Sequence, residues 1–572
     1  MRSLGFLGLT AALLATTALP AAAESAVTPE RLVNPEPENW LNAHRTYDHW
    51  RWSPLTIINA DNVGDLKVAY AVALAPSPPD VGPVETVPMV DDGFLYVTTQ
   101  SNILTKFNVQ SGTSALPVWS FDPEVRVLPF QIQITVNRGV GLAGDAAILN
   151  TPDGRVISVD RASGQALWEV QLGEDPSEGF TTQPLIVNDL ALIGQSRGDW
   201  GTRGWVSAVD LADGSERWRF WAIPGPGEAG HETWLNDAWQ TGGGSIWTQP
   251  SYDPDSNTVF VGVGNAAPAF DPEYRPGDNL YTSSVVALDA DTGAVQWYHQ
   301  FVANEGFEWD EITPYFVVNT QINGESRQVL AHHSTRNGHF YVLDRSTGEH
   351  VFGVANAPSI NWTEGFDPKT GLPVEYDPDA QIQTYGGINA TRDGSSLPLC
   401  QAATQWGGQT YSPEHNRVYT LVNDSCSTRA TQAPNYEEQP YVYGNVVDGQ
   451  LLGYRLQSGQ GDPVPDEMLM TRVGPRLTAV DVSTGETVAA VPVAAPTANG
   501  GTMGTAAGLI FAGFNDGAFR AYDADTLATL WEVNVGTQFH APPITFATGG
   551  NQYVAIAGGA SGGDTILWVF GL

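Results

Sequence analysis

Five side chains of this sequence have the types and settings from which chemistry is built: Asp199, Trp247, Asn265, Asp310 and Arg336. Asn265 ends an apolar run in "FVGVGNAAPAFDPEYRPGDN", where rigid Pro and Pro-Gly turns follow at once. Such turns display a side chain in a fixed direction, and an amide oxygen there suits a hard metal ion or a polar ligand. The same residue could equally do no more than close the turn. Asp199 stands beside glycines in "SRGDWGTRGW", and Asp310 sits in "GFEWDEITP". Two carboxylates and an amide oxygen make a donor set for calcium, although turn or surface carboxylates have the same local look. Trp247 follows three glycines in "GGGSIWTQP", where backbone can approach a flat ligand closely. Arg336 precedes an Asn-Gly turn in "STRNGHFYVLDR", a place that also suits a hairpin ion pair. His332 and His333 bring no zinc-type spacing and read as structural.

What positions these groups is written in repeats. "ISVDRASGQALWEV", "SAVDLADGSERWRF", "VALDADTGAVQWYH", "YVLDRSTGEHVFGV", "TAVDVSTGETVAAV" and "RAYDADTLATLWEV" share an apolar pair, an Asp, a polar turn usually holding Gly, and a short strand often carrying Trp. "NADNVGDLKVAY" and "FNVQSGTSALPVW" are degenerate copies. Asp and Gly serve the turn, and Trp supplies a large apolar face to pack between neighbouring sheets. Self-similar four-stranded units predict an all-β propeller, one large domain closed on itself, with its loops gathered around the axis. The 137 residues from Asp344 to Asp481 break the spacing, so long loops or an unmarked blade are expected there.

Residues 1–23, with Arg2, an apolar run and small residues up to Ala23, read as a secretory signal peptide cut before Glu24. The propeller domain is then residues 24–572, exported to the periplasm, and no other run is long and apolar enough to span a bilayer. Loss of Arg2 leaves 25 basic against 63 acidic residues, a net charge of −38. Such a surface argues against nucleic acid and anionic membranes and suits a basic protein partner. Cys400 and Cys426 are the only cysteines, which fits one disulfide in an oxidising compartment, and no Cys-x-x-Cys-His is present to attach a c-type haem.

Together these features resemble the quinoprotein alcohol dehydrogenases, the methanol/ethanol dehydrogenase family that uses pyrroloquinoline quinone (PQQ). The resemblance runs from "NWLNAHRTYDHWRWSPLTIINADNVGDLKVAY" to "GGNQYVAIAGG", and "GVGNAAPAFDPEYRPGDN" is its most specific motif. It implies an eight-bladed propeller with tryptophan-docking repeats, oxidising an alcohol to an aldehyde or ketone. By the same resemblance Asp310 is the base, Arg336 the cation beside the reactive quinone oxygen, and Trp247 the floor under the cofactor. Asp199, Asn265 and Asp310 match the ligands of one calcium ion. Glu85, Arg138, Thr181, Ser196, Ser245, Gln405 and Asn499 match polar contacts to PQQ, and Cys400–Cys426 matches a structural disulfide. Electrons would pass to a separate cytochrome c.

Departures from the family pattern are specific. Asp199 stands where the family has glutamate, shortening the reach by on the order of 1 Å. Ile132 and Gln133 replace an adjacent cysteine pair, which bears on electron transfer, and Gln405 replaces an asparagine. Lanthanide-using members carry an aspartate where this chain has Ile312, which favours calcium. The substrate is expected among primary and secondary alcohols, polyols and bulky alcohols included, with Trp309, Trp406 and residues 425–448 as the expected roof of the pocket. Two other readings carry different consequences: a non-catalytic scaffold propeller, and a relative that binds cofactor or metal without turnover.

Overall fold

The computed structural model describes residues 24–74, 82–126, 136–174, 177–357, 359–386, 398–404, 406–428, 437–438, 440–441, 446–447, 450–451, 473–493, 500–560 and 563–572. The expected signal peptide, Ile132, Gln133, Gln405 and Asn499 lie outside the described residues, as does most of 425–448.

Among the described residues eight blade sheets follow one another around an axis, antiparallel except where Trp52–Ser53 adds a parallel strand beside Thr502–Thr505, and this is the propeller that the repeats predict. The first blade is typical: Met89–Asp91, Phe94–Thr98, Leu104–Asn108 and Leu116–Phe121 pair in chain order. Its inner strands are buried throughout, while the outermost reads exposed and half-buried. Strands covered on both faces are apolar along their whole length, and only the outer strand is open to water. The eighth blade takes its outermost strand, Lys67–Ala73, from the start of the chain and pairs it antiparallel with Ile566–Gly571, from Lys67↔Gly571 to Ala73↔Ile566. The ring is thus closed by hydrogen bonds between the two ends of the domain.

The repeat residues join each blade to the next. Gly164, Gly214 and Gly293 have φ of +74°, +75° and +69°, and each N–H donates to the repeat Asp carbonyl at 2.8 Å. Over these glycines lie Trp119, Trp168 and Trp218 from the preceding blades. The indoles of Trp119, Trp168 and Trp218 donate to the carbonyls of Arg161, Leu211 and Ala290 at 3.0, 2.9 and 3.0 Å. Trp531 makes the same bond to Leu66 across the ring closure, at 3.1 Å. Where the pattern varies, the packing varies with it. In "RAYDADTLATLWEV" the glycine position is Leu527, at φ 57°, and the blade before it carries Ala489 and Val491 rather than Trp. Leu527 fills the space that the absent indole leaves, packed with Ala489 and Val491.

The long interval between Asp344 and Asp481 holds no unmarked blade among the described residues. The sixth blade is Thr410–Ser412, Arg417–Thr428, Arg476–Asp481 and Thr487–Pro492. The far half of its twelve-residue second strand pairs with Pro398–Ala403, and there Cys400 and Cys426 lie directly opposite and form the disulfide. No helix among the described residues is long and apolar enough to cross a membrane.

The turn glycines supply a stability test. A Cβ on Gly293 would lie 2.5 Å from Trp218, whereas Gly324, at the same kind of positive φ, has nothing within 4 Å. Gly324→Ala is expected to cost about 1 kcal/mol, from backbone strain alone, and Gly293→Ala about 2–4 kcal/mol. Denaturant midpoints of both variants measure the difference; equal losses would mean that the indole is not seated on the turn.

Candidate active site

In a four-stranded antiparallel blade, the connection entering the innermost strand and the one joining the second and third strands emerge at the same end. Every expected site residue that is described lies in one of those connections. Arg138 precedes Gly141–Ala143, Thr181 precedes Leu185–Val187, Trp247 precedes Ser251–Asp253 and Asp310 precedes Tyr315–Ile322. Ser196 and Asp199 join Leu190–Gly194 to Trp205–Asp210; Asn265 follows Thr258–Gly262; Arg336 lies between Glu325–His333 and His339–Asp344. The topology therefore brings together residues far apart in sequence. A cavity of about 250 Å³ is lined by Glu85, Arg138, Thr181, Ser196, Asp199, Ser245, Trp247, Asp310 and Arg336, with Asn265 buried just behind its wall.

Asp310 is the centre of that wall. Its Oδ1 accepts hydrogen bonds from Trp247 Nε1 at 3.1 Å and from the Asn265 N–H at 3.3 Å. Its Oδ2 lies 3.9 Å from Arg336 Nη2. Burial pushes the Asp310 carboxyl up to about 6; Arg336, Trp247 and the Asn265 N–H pull it back, and Glu308 pushes it further. Asn265 Nδ2 donates to Asp199 Oδ1 at 2.8 Å, so the two carboxylates and the amide form one connected string. Among the described residues no three His, Cys, Asp or Glu cluster as a metal site, and in this string the third donor is an amide. A hard ion is held by such oxygen donors. Asp199 stands in the turn Gly198–Trp200, whose carbonyl at Asp199 accepts from the buried Tyr441 hydroxyl.

The opposite wall is polar and cationic. Arg138 Nη1 donates to Thr181 Oγ1 at 2.7 Å and to Trp247 O at 3.1 Å, and Nη2 pairs with Glu85 at 2.6 Å. Its guanidinium lies between the Trp247 and Trp406 rings, 4.7 and 4.8 Å from their centroids. Arg138 Nε is buried without a hydrogen-bond partner. Burial lowers the Arg138 pKa and raises that of Glu85, each opposed by the other's charge. Ser196 Oγ accepts from the Thr181 N–H at 3.0 Å, and Ser245 Oγ from the Gly198 N–H at 2.5 Å. A flat aromatic acid fits this donor set: a ring face at Trp247, hydroxyls along one side and an incompletely satisfied guanidinium for a carboxylate.

Several placements were not legible beforehand. Glu308 also lines the cavity; its carbonyl accepts from Arg336 Nη1 at 2.6 Å, and its carboxylate lies 3.2 Å from the same atom. It does so from the left-handed region, φ 63°, a conformation that tends to accompany functional sites. Its place directly before Trp309-Asp310 was the available signal. Trp309 does not roof the cavity: it is fully buried with Phe307 and Trp362, and its indole donates to Gln401 Oε1 at 2.8 Å. Trp406 borders a smaller axial cavity of about 30 Å³ with His44 and Arg51. His332 is buried against Glu311, its Nε2 2.8 Å from Oε2, and stacks on Tyr315, in keeping with a structural role. Burial raises the Glu311 pKa and lowers that of His332.

Comparison with known proteins adds a family. Residues 40–361 and 385–554 match the PQQ family described as glucose/ethanol/alcohol dehydrogenase, beta-propeller domain. The chain is 33% identical to quinohemoprotein alcohol dehydrogenase ADH-IIG of Pseudomonas putida over 548 residues, covering 92% of this chain and 73% of that protein. It is 31% identical over 553 residues to the dehydrogenase subunit of a quinone alcohol dehydrogenase of Gluconacetobacter polyoxogenes, covering 92% and 72%. The solved structure of the quinohemoprotein alcohol dehydrogenase of Comamonas testosteroni superposes with a TM-score of 0.80 at 27% identity, covering 95% of this chain and 82% of that one.

Gly264 tests how tightly the site is set. A Cβ there would lie 2.5 Å from Asp310 Oδ1 and 2.9 Å from Ser245 O. Gly264→Ala is expected to displace the Asp310 carboxylate from Trp247 and Asn265 and to cost about 1–3 kcal/mol. A crystal structure and a melting curve of the variant check both; an unmoved carboxylate would refute the close packing.

Proposed function

The chain belongs to the PQQ-dependent alcohol dehydrogenase family, and from that membership and the setting of Asp310 we propose a periplasmic enzyme that oxidises an alcohol with calcium-bound PQQ. Relatives named as alcohol dehydrogenases match over nine-tenths of this chain. The observation that carries the reading is a buried carboxylate, Asp310, facing the cavity between an indole donor, an amide and a guanidinium.

When bound, PQQ supplies the two-electron acceptor and calcium a Lewis acid that polarises it. Asp310 takes the hydroxyl proton of the alcohol at Oδ2, the oxygen that no hydrogen bond to Trp247 or Asn265 occupies. Arg336 holds positive charge next to that carboxylate and faces negative charge as it develops across the cavity. Trp247, fixed by its bond to Asp310, sets the plane in which an aromatic ring lies. Arg138 receives a carboxylate, with Glu85 balancing its charge, while Thr181, Ser196 and Ser245 supply hydroxyls along the same wall. Gln405 and Asn499 complete these contacts in the proposal.

Asp199, Asn265 and Asp310 hold the metal. Ligation through the Asn265 oxygen requires its carboxamide to turn over, because Nδ2 now faces Asp199 Oδ1. Calcium is favoured because Ile312 stands in the sequence position where lanthanide-using members of the family carry an aspartate. The substrate is a primary or secondary alcohol, polyols and bulky alcohols included. Electrons leave to a cytochrome c, whose basic surface would be drawn by the acidic surface of this chain.

The test is dye-linked oxidation of a panel of alcohols by the apo protein, with PQQ and calcium added together and singly. Turnover that needs both is expected. Asp310→Asn should keep PQQ binding and lose about 10²–10⁴-fold in kcat. Full turnover by that variant would remove Asp310 as the base.

A further inference from the structure

Asp310 and Arg336 face each other as opposite charges, yet their nearest atoms are 3.9 Å apart. A free arginine–carboxylate pair closes to about 2.7–2.9 Å and becomes bidentate. Something holds this one open, and the residues on either side of the pair show what.

Glu311 follows Asp310 directly and is fully buried. Its Oε1 accepts from Ser334 Oγ at 2.7 Å and Asn337 Nδ2 at 3.3 Å, so it grips the Arg336 loop on both sides of that residue. Its Oε2 meets His332 Nε2 at 2.8 Å, and its carbonyl accepts from the Tyr315 hydroxyl at 2.7 Å. The adjoining residues repeat the tie: Thr335 Oγ1 accepts from the Ile312 and Thr313 N–H groups at 3.2 and 3.4 Å, and Thr313 Oγ1 donates to His333 O at 2.6 Å. Glu308 anchors Arg336 from the other side. The backbones carrying the two charges are therefore joined by short bonds, while the charges themselves stay beyond hydrogen-bond range.

We propose that Glu311 is a positioning residue that spaces Arg336 from Asp310 by bridging Ser334 and Asn337, so that Asp310 Oδ2 stays open to a substrate hydroxyl. This rests on the reading of Asp310 as the base. Without the bridge, Arg336 settles onto Asp310, and the oxygen that should meet the alcohol is taken. Glu311→Gln keeps an acceptor for Ser334 and a polar group against His332; Glu311→Leu removes both; Ser334→Ala removes one bond and leaves the core volume nearly unchanged.

The experiment combines kinetics with crystal structures of the three variants. A misplacement near 1 Å costs about a hundredfold in rate, so Glu311→Leu is expected to lose on the order of tenfold to a hundredfold in kcat, and Ser334→Ala a smaller part in the same direction. KM and PQQ affinity, followed by quenching of tryptophan fluorescence, should stay within about threefold, and Glu311→Gln should recover wild-type kcat. In the crystal structures the Asp310–Arg336 separation should shorten in Glu311→Leu and Ser334→Ala and stay open in Glu311→Gln. An unchanged separation, or kcat and PQQ affinity falling together, overturns the proposal; if Glu311→Leu does not fold, Ser334→Ala decides. A wild-type protein that turns over no alcohol contradicts the preceding reading instead, and the separations alone then judge the spacer.

Discussion

The Asp310 carboxylate joins loops that the chain delivers separately. Trp247 and Asn265 arrive from two connections of the fourth blade, Asp310 and Arg336 from two connections of the fifth. Two of these groups donate to Oδ1 and the third lies opposite Oδ2, so one buried charge sets the indole plane, the amide backbone and the guanidinium together. Removing a carboxylate from water is unfavourable unless donors and a cation surround it, and two of the groups that offset that cost here, Trp247 and Arg336, also line the cavity. The site is thus organised by the same bonds that make burial of Asp310 tolerable.

That arrangement depends on blades that do not shift against each other. An indole of one blade bonds to a carbonyl of the next and lies on its turn glycine, and the ring is locked where Lys67–Ala73 pairs with Ile566–Gly571. The loops at one end are then fixed to a frame whose members contact their neighbours all round. Function can sit on irregular segments because the scaffold beneath them is rigid. The acidic surface, formal charge −37 over the whole sequence, acts on what approaches this frame, and its self-repulsion is a cost that the packing between blades must offset.

How much of this could be read beforehand follows from the range of each interaction. The Asp, Gly and Trp of the repeats act within one turn or on the adjacent blade, so they recur at fixed offsets and expose the architecture. Leu527 breaks that pattern only because its neighbour has Ala489 in place of an indole, a compensation visible when two distant repeats are compared. Asp199, Asn265, Trp247, Asp310 and Arg336 were legible as a set through motif resemblance, and their convergence follows from blade topology. Glu308, Glu311 and Tyr441 were not, because what they do is defined by partners such as Arg336, Ser334 and the Asp199 carbonyl that only folding brings near. Trp309 misled for the same reason: next to Asp310 in sequence, it points into the aromatic core between the fourth and fifth blades.

The most direct measurement is the stoichiometry of PQQ bound by the metal-free protein, titrated with and without calcium and read by equilibrium dialysis and tryptophan quenching. About one PQQ and one calcium per chain, each tightening the other, is the result that the proposed role of Asp199, Asn265 and Asp310 beside Trp247 and Arg138 predicts. A protein that takes up neither, or that binds PQQ with the same affinity whether calcium is present or not, would contradict it.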